Sequence, residues 1–311
     1  MLPRKQPFGM VLLIDSPPFA MSQAMLASDP NIQHWKQRLV QVFIRSLKLL
    51  LGNDSALDVM KALVRKLPPK VAFPITWVCL WEFPVGTVSE QKWLYGRPRQ
   101  YPEQQVRVNP NCLSGRFFAT SGFYEELLTS EILADRRRGL LVDIGANYGY
   151  YPVLWLNKPD TRAITVEPIS EYVQLLQENL KEFSSRCQIV QVCIGDYDGT
   201  ALMDTGGDPT MLSRVVTEDT EGRARSVPMM TLATLLEKYQ ESHIDVLKID
   251  AEGYDIKILN TCRSLFAAHT ITTVFWETAN SAAEQEFVEF LQQVGYAPIL
   301  EGYVTGYEVS E

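Results

Sequence analysis

From residue 139 onward the chain repeats one unit: a short apolar run that ends at an acidic residue or a glycine, then a segment with helical spacing. The runs are Leu140-Leu141-Val142-Asp143, Ala163 to Glu167, Ile189 to Ile194, Ile244 to Asp250 and Ile271 to Glu277. Strands that are apolar on both alternating sides belong in a parallel sheet covered on both faces. The segments between them place Tyr172, Val173, Leu176, Leu180 and Phe183 on one face of 170–183, and Ile258, Leu259, Cys262, Leu265 and Phe266 on one face of 254–268. Phe287, Phe290, Leu291 and Val294 line 282–294, which Gly295 can close. Alternation of this kind restricts the fold to a doubly wound α/β sheet with right-handed crossovers. Tyr296 to Leu300, a Glu301-Gly302 turn and Tyr303 to Val309 then read as a terminal β-hairpin.

The first 120 residues lack this rhythm and are rich in Pro and Trp. Helices are expected at 34–51 and 55–66, with Pro68-Pro69 ending the second, and 74–96 reads as extended and aromatic around Trp77, Trp81, Phe83 and Trp93. The chain therefore divides into an N-terminal extension over 1–120, helical and irregular, and an α/β domain over 121–311. Substrate or oligomer contacts, including those of a homo-oligomer, are expected of the extension. Lys36, Arg38, Arg45 and Lys48 make the first helix basic, so it either packs on the main domain or lies on a partner or membrane surface.

Composition narrows the setting. A net charge of -8 argues against broad nucleic-acid binding, which needs a basic face, although Arg136-Arg137-Arg138 is a local exception. The five cysteines are odd in number and form no CxxC pair, which argues against a disulfide framework or zinc knuckle and suits a reducing cytoplasm. Cys187 and Cys193 are expected to be buried packing residues. Gly9 to Ile14 is too short for a signal peptide and stops at Asp15. No uncharged apolar stretch reaches the roughly 18 residues of a membrane span; Val40 to Leu51 is interrupted by Arg45 and Lys48. A cytoplasmic protein without a membrane span is the expectation.

The segment Val142-Asp143-Ile144-Gly145-Ala146-Asn147-Tyr148-Gly149 sits where open α/β sheets bind ligands, at the carboxyl end of the first strand. Gly145 and Gly149 permit a sharp turn, and the next helix offers free N–H groups that suit the carboxylate of an aminoacyl ligand. Asp143 can meet that ligand's ammonium, directly or through water, and Asn147 can donate and accept. A dinucleotide fingerprint wants GxGxxG here; the second glycine is missing, and an Asp before the first sits badly beside a diphosphate. An NAD enzyme and a non-catalytic interaction module are thus the weaker alternatives. Glu167, 24 positions after Asp143, ends the second strand, where an acid accepts hydrogen bonds from ribose hydroxyls. Asp196 follows the third strand and could accept from an adenine amino group, or sit in a plain surface turn.

Three motifs together carry a resemblance: Asp143-Ile144-Gly145-Ala146-Asn147, Val166-Glu167-Pro168 and Leu247-Lys248-Ile249-Asp250-Ala251-Glu252-Gly253, followed by Phe275-Trp276-Glu277. This set resembles the FkbM methyltransferase family, whose pattern is DIGAN, FEP, LKIDVEG and a strand ending in Glu. Val227 to Leu232 is similar to the family's strand-to-helix element, and the likeness spans about 139–300. It implies a Rossmann-like class I methyltransferase fold with a mostly parallel seven-stranded sheet ending in a β-hairpin. It implies an enzyme that uses S-adenosyl-L-methionine. It also implies O-methylation of a hydroxyl on a sugar, glycan or secondary metabolite as the activity, with N-methylation of a protein or peptide group left open. Tyr148, Tyr150, Tyr151 and Pro152 depart from the family pattern, so a more aromatic cofactor pocket is expected.

The methyl acceptor of such a fold sits beside the ends of the fourth and fifth strands, which carry Lys248, Asp250, Glu252 and Glu277. Alternation puts Lys248 and Asp250 on one side of their strand. Asp250 is the candidate base or acceptor-orienting group, supported by Lys248 and Glu277; a buried structural ion network is the alternative. Asp250, Glu252 and Glu277 could offer hard oxygens to a divalent cation, but no fourth ligand is evident and no metal is expected. None of His34, His243 and His269 reads as catalytic. Gly206 to Ser213 reads as a loop that could close over the site, or as a plain hairpin loop.

Overall fold

Leu140, Val142, Ile144, Ile164, Val166, Leu247 and Ile249 are all buried, and so are Leu141, Ala163 and Val246 on the alternate positions. Strands buried on both sides need a layer over each face, and the computed structural model supplies both. It describes residues 30–134, 138–204, 214–218, 222–302 and 304–310. Gly9 to Ile14, Arg136, Arg137, Gly206 to Ser213, Tyr303 and the side chain of His34 lie outside the described residues.

The N-terminal region is α1 (Pro30–Leu51), α2 (Asn53–Val64), α3 (Pro69–Glu82), a two-residue ladder of β1 (Tyr95–Gly96) with β2 (Val106–Arg107), then α4 (Leu113–Ser121) and α5 (Glu126–Ala134). The α3 span corrects the extended reading of 74–96. Pro69 starts a new helix at its first position, where a missing N–H costs nothing. The helix buries Ala72, Thr76, Val78, Cys79 and Leu80 on several sides, which erases any amphipathic period.

The main sheet then begins. β3 (Leu140–Ile144), α6 (Tyr150–Leu156), β4 (Arg162–Val166), α7 (Ser170–Asn179) and β5 (Cys187–Val190) form its first half. A smaller sheet follows, built from β6 (Cys193–Ile194), β7 (Gly199–Asp204), β8 (Arg214–Val216) and β9 (Ala224–Met230). α8 (Leu232–Tyr239), β10 (Ile244–Ile249), α9 (Asp255–Thr261), α10 (Arg263–Ala267), β11 (Ile271–Glu277), α11 (Ala282–Gln293), β12 (Tyr296–Leu300) and β13 (Val304–Val309) complete the chain.

The seven main strands lie in the order β12-β13-β11-β10-β3-β4-β5. The five from β11 to β5 are parallel, and β13 runs antiparallel to both neighbours. This is the mostly parallel Rossmann-like sheet closed by a hairpin. The run 189–194 proves to serve two sheets. β5 ends the main one, and β6 joins the four-stranded sheet β6-β9-β7-β8, which the sequence did not disclose.

The two faces of the main sheet have different covers. Leu140, Val142, Ile144, Leu247, Ile249, Val274 and Trp276 pack with α8, α9 and α11. Leu141, Ala163, Val246 and Phe275 join one core with residues of the N-terminal helices, including Leu57, Phe118 and Ile132. Lys248 is in register with Asp143 on one side and Phe275 on the other. Strand alternation therefore turns Asp143, Lys248 and Glu277 toward the N-terminal region. Asn179 fastens that region to the glycine loop: its Nδ2 donates to Arg107 O and Tyr148 O at 2.7 Å each, and its Oδ1 accepts from Arg107 N at 2.7 Å.

Candidate active site

The turn after β3 is shaped by the main chain. Gly145 N and Ala146 N donate to Val166 O at 3.0 and 3.1 Å, and Asp250 N donates to Ile144 O at 3.0 Å. Gly145 has φ 75°, and a Cβ there would lie 1.9 Å from Asp250 O, so only glycine fits. Asn147 also takes a left-handed conformation, φ 50°, which Asn tolerates better than most residues. Gly149, φ 85°, caps α6 and would drive a Cβ to 2.9 Å from Leu176 Cδ2.

Beside this turn opens a pocket of ≈ 670 Å³, partly continuous with solvent. Its wall includes Ile144, Gly145, Asn147, Glu167, Ile169, Tyr172, Ile194, Asp250, Glu252 and Tyr254. Met203 and Val215 of the small sheet form part of it, so that sheet shapes the ligand's surroundings. The expected aromatic crowding from Tyr148, Tyr150 and Tyr151 does not occur here. Those rings are buried toward the N-terminal region, with Tyr148 stacked on Phe118 at 5.9 Å and Tyr150 edge-on to Phe118 at 4.9 Å. The pocket's own aromatics are Tyr172 and Tyr254.

Glu167 is buried and accepts from Asn147 N (Oε2) and Ile169 N (Oε1), each at 3.0 Å. Burial pushes its carboxyl up to about 7, against the pull of those two N–H groups. Asn147 Oδ1 is buried without a hydrogen-bond partner on the same wall, an acceptor available to a ligand donor. Asp196 is not on the wall; its Oδ1 accepts from Tyr254 OH at 2.7 Å and so braces a residue that is.

Asp143 lies entirely inside the protein and not on the pocket wall. Its neighbour is Lys248, whose Nζ stands 3.4 Å from Asp143 Oδ1, 3.3 Å from Asp250 Oδ2 and 3.2 Å from Gly145 O. Burial disfavours the ammonium, yet Asp143, Asp250 and Glu125 outweigh it and hold Lys248 well above its ordinary value. A lysine so held stays charged and is not a base. It links Asp143 on β3 to Asp250 on the pocket wall.

Glu125, which the sequence reading missed, completes the cluster from the N-terminal side. It takes a left-handed conformation, φ 40°, just before α5, and accepts a hydrogen bond from Tyr151 OH. Burial, reinforced by Asp250, pushes its carboxyl up to about 7. Asp255 is pushed up to about 7 by burial and by Asp250, and Glu252 is raised for the same two reasons. Glu277 at the end of β11 adds its charge to Glu125, Glu252 and Asp255. No trio of His, Cys, Asp or Glu that could hold a metal ion occurs among the described residues. His243 contacts Thr272 and His269 contacts Val294 O, both away from this cluster. All five cysteines are buried and free.

Comparison with known proteins agrees with the motif reading. The family described as Methyltransferase FkbM domain matches residues 143–298. No curated protein sequence matches the chain. Among solved structures, the METTL16 MTase domain aligns at 10% identity over 60% of this chain and 66% of that one, with a TM-score of 0.38. Precorrin-6y C5,15-methyltransferase from Geobacter metallireducens aligns at 14% identity over 58% and 86%, TM-score 0.34. M. capricolum TrmK, solved with S-adenosyl-homocysteine, aligns at 11% identity over 61% and 71%, TM-score 0.36.

Proposed function

Because the chain belongs to the FkbM methyltransferase family and is an S-adenosylmethionine-dependent methyltransferase, we propose that it methylates a hydroxyl group of a sugar, glycan or secondary metabolite. The observation that carries this reading is the position of Asp250. Asp250 lines the pocket, its carboxylate is held by Lys248 at 3.3 Å, and its charge and that of Glu277 both act on Glu125.

The residues present suit the cofactor. Glu167 would accept from the ribose hydroxyls, Asn147 Oδ1 would take a ligand N–H, and the Gly145 turn admits close approach. Tyr254, braced by Asp196, and Tyr172 supply flat surfaces. Asp143 would act on the ligand at one remove, through Lys248. Bound S-adenosylmethionine supplies an electrophilic methyl group.

The chain's own task is then to place and deprotonate the acceptor. A hydroxyl near Asp250 would donate its hydrogen bond to that carboxylate, which would hold the acceptor oxygen in place for transfer. Asp250 takes the proton as transfer proceeds; Glu125, poised near neutrality and tied to Tyr151, is the group beside it that can accept a proton in turn. Lys248, enclosed by Asp143 and Asp250, offers no free cation to a phosphate, and a chain of net charge -8 presents no broad basic face, so phosphate-bearing acceptors and nucleic acid are disfavoured.

Transfer of a labelled methyl group to a panel of sugars, glycans and hydroxylated metabolites, with peptides and RNA alongside, tests the proposal. Label should enter the hydroxyl-bearing small molecules and fall away in Asp250→Asn. Label in RNA would overturn the reading, and label on a peptide nitrogen would move it to N-methylation.

A further inference from the structure

α1 carries two apolar stripes, although a helix packed on a core needs only one. Ile44 is fully buried, with Val40 and Leu47 beside it on the core. The second stripe faces outward: Leu39, Val42, Phe43, Leu49 and Leu50 recur at 0, 3, 4, 10 and 11 along the helix. Leu49 is 89% exposed and Leu50 79%, in a chain whose sheet core is fully covered. The outward stripe runs about 16 Å along the helix axis. Trp81 of α3, 67% exposed, is a second exposed large side chain close by in the chain: its neighbour Glu82 pairs with Arg45 at 2.8 Å and accepts from Lys48 through its carbonyl at 2.6 Å. No other described element covers this face.

Charge says what would. The 22 residues of α1 contain Lys36, Arg38, Arg45 and Lys48 and no acidic residue, in a chain of net charge -8. Lys36 and Arg38 are exposed at the start of the stripe. An outward row of large apolar side chains flanked by cations, with an exposed Trp beside it, matches the chemistry of a helix lying in the headgroup region of an anionic bilayer. Arg45 and Lys48, partly engaged by Glu82, keep the two helices together, while Lys36 and Arg38 remain for the lipid phosphates. The four cations of α1 exclude a span although its 22 residues would be long enough: no described helix is long and apolar enough to cross a membrane.

We propose that the outer face of α1, with Trp81, docks this enzyme on the surface of an anionic lipid membrane. The inference does not depend on the identity of the methyl acceptor or on the site residues. The apolar stripe gives the attachment its strength, and the cations select the lipid.

The test is sedimentation of the full chain with phosphatidylcholine vesicles, with and without added phosphatidylglycerol, at low and high salt. The protein should pellet with the anionic vesicles, much less with the neutral ones, and less at high salt. Leu49→Gln combined with Leu50→Gln should weaken partitioning at least about tenfold, the scale of removing two leucines from an interface. Lys36→Glu with Arg38→Glu should abolish the preference for anionic lipid. Both variants alter exposed residues and should keep the wild-type circular dichroism and affinity for S-adenosylmethionine. Absence of vesicle binding would overturn the proposal, as would equal binding by the wild type and the leucine variant. Light scattering that finds a dimer dissolved by the leucine variant, without vesicle binding, would assign the face to a second copy of the chain instead.

Discussion

Replacing Lys248 by Met exposes the electrostatic logic of the site. The Lys248 ammonium is buried between Asp143 and Asp250, and Asp143 has no hydrogen-bond donor to replace it. Removing one partner of a buried pair costs about 3–5 kcal/mol, because the other charge is left uncompensated. Asp143 would then fold only as the neutral acid. The sign follows from linkage: a carboxyl whose folded pKa lies above its unfolded value of about 3.9 loses stability as pH rises between the two. At pH 5 the unfolded Asp is already ionised while the folded one stays neutral. Each further pH unit therefore costs about 1.4 kcal/mol, or about 2.7 kcal/mol from pH 5 to pH 7 if the folded pKa exceeds 7. Glu125, Glu167 and Glu252 also feel the Lys248 charge and push the same way. Urea unfolding of wild type and Lys248→Met at both pH values measures the difference. Adding Asp143→Asn should recover at least about 2 kcal/mol at pH 7 and flatten the slope. A loss below about 1 kcal/mol, or a double variant no better than the sum of its parts, would refute the reasoning.

Gly145→Ala places a Cβ 1.9 Å from Asp250 O at a φ of 75°, so strain and backbone displacement together should cost at least about 3 kcal/mol in thermal unfolding; an unchanged melting temperature would contradict the turn geometry. Glu167→Ala should weaken S-adenosylmethionine binding by about 1–3 kcal/mol in calorimetry. In the wild type the Glu167 carboxyl is pushed up to about 7, and ribose hydroxyls favour its ionised form, so cofactor affinity should rise with pH and level off above about 7. Glu167→Gln should remove that pH dependence; its persistence would point to another group. Asp250→Asn should leave cofactor affinity intact and lower methyl transfer by about a hundredfold or more, and lost cofactor binding would mean that Asp250 serves the cofactor instead.

What could be read from the sequence follows from where periodicity survives. β3, β4, β10 and β11 are buried on both faces and bounded by acids or glycines, so their runs stand out, and the motifs at their carboxyl ends come with them. α3 looks extended in the sequence because it is buried on several sides and carries Phe73, Ile75, Trp77 and Val78, residues that favour strands as much as helices. The run from Ile189 to Ile194 hides a change of sheet, since both β5 and β6 need apolar residues. Only Val227 to Leu232 marks the small sheet in the sequence, and nothing there points to Met203 and Val215 on the pocket wall. Glu125 gave no signal at all. Its role depends on the turn between α4 and α5, which is set by the packing of the N-terminal region, and one acid in a loop looks like any other. Asp143, Gly145, Asn147, Glu167, Lys248 and Asp250 are brought together as their positions suggested, but Asp143 faces Lys248 rather than the pocket, and Asp196 reaches it only through Tyr254.

Calorimetric titration of the purified full chain with S-adenosylmethionine, S-adenosylhomocysteine and NAD tests the central claim most directly. Both adenosyl sulfur compounds should bind with matched stoichiometry and raise the melting temperature by mass action, and NAD should do neither. Binding of NAD alone, or of none of the three, would contradict the account of the pocket beside Gly145 and Glu167.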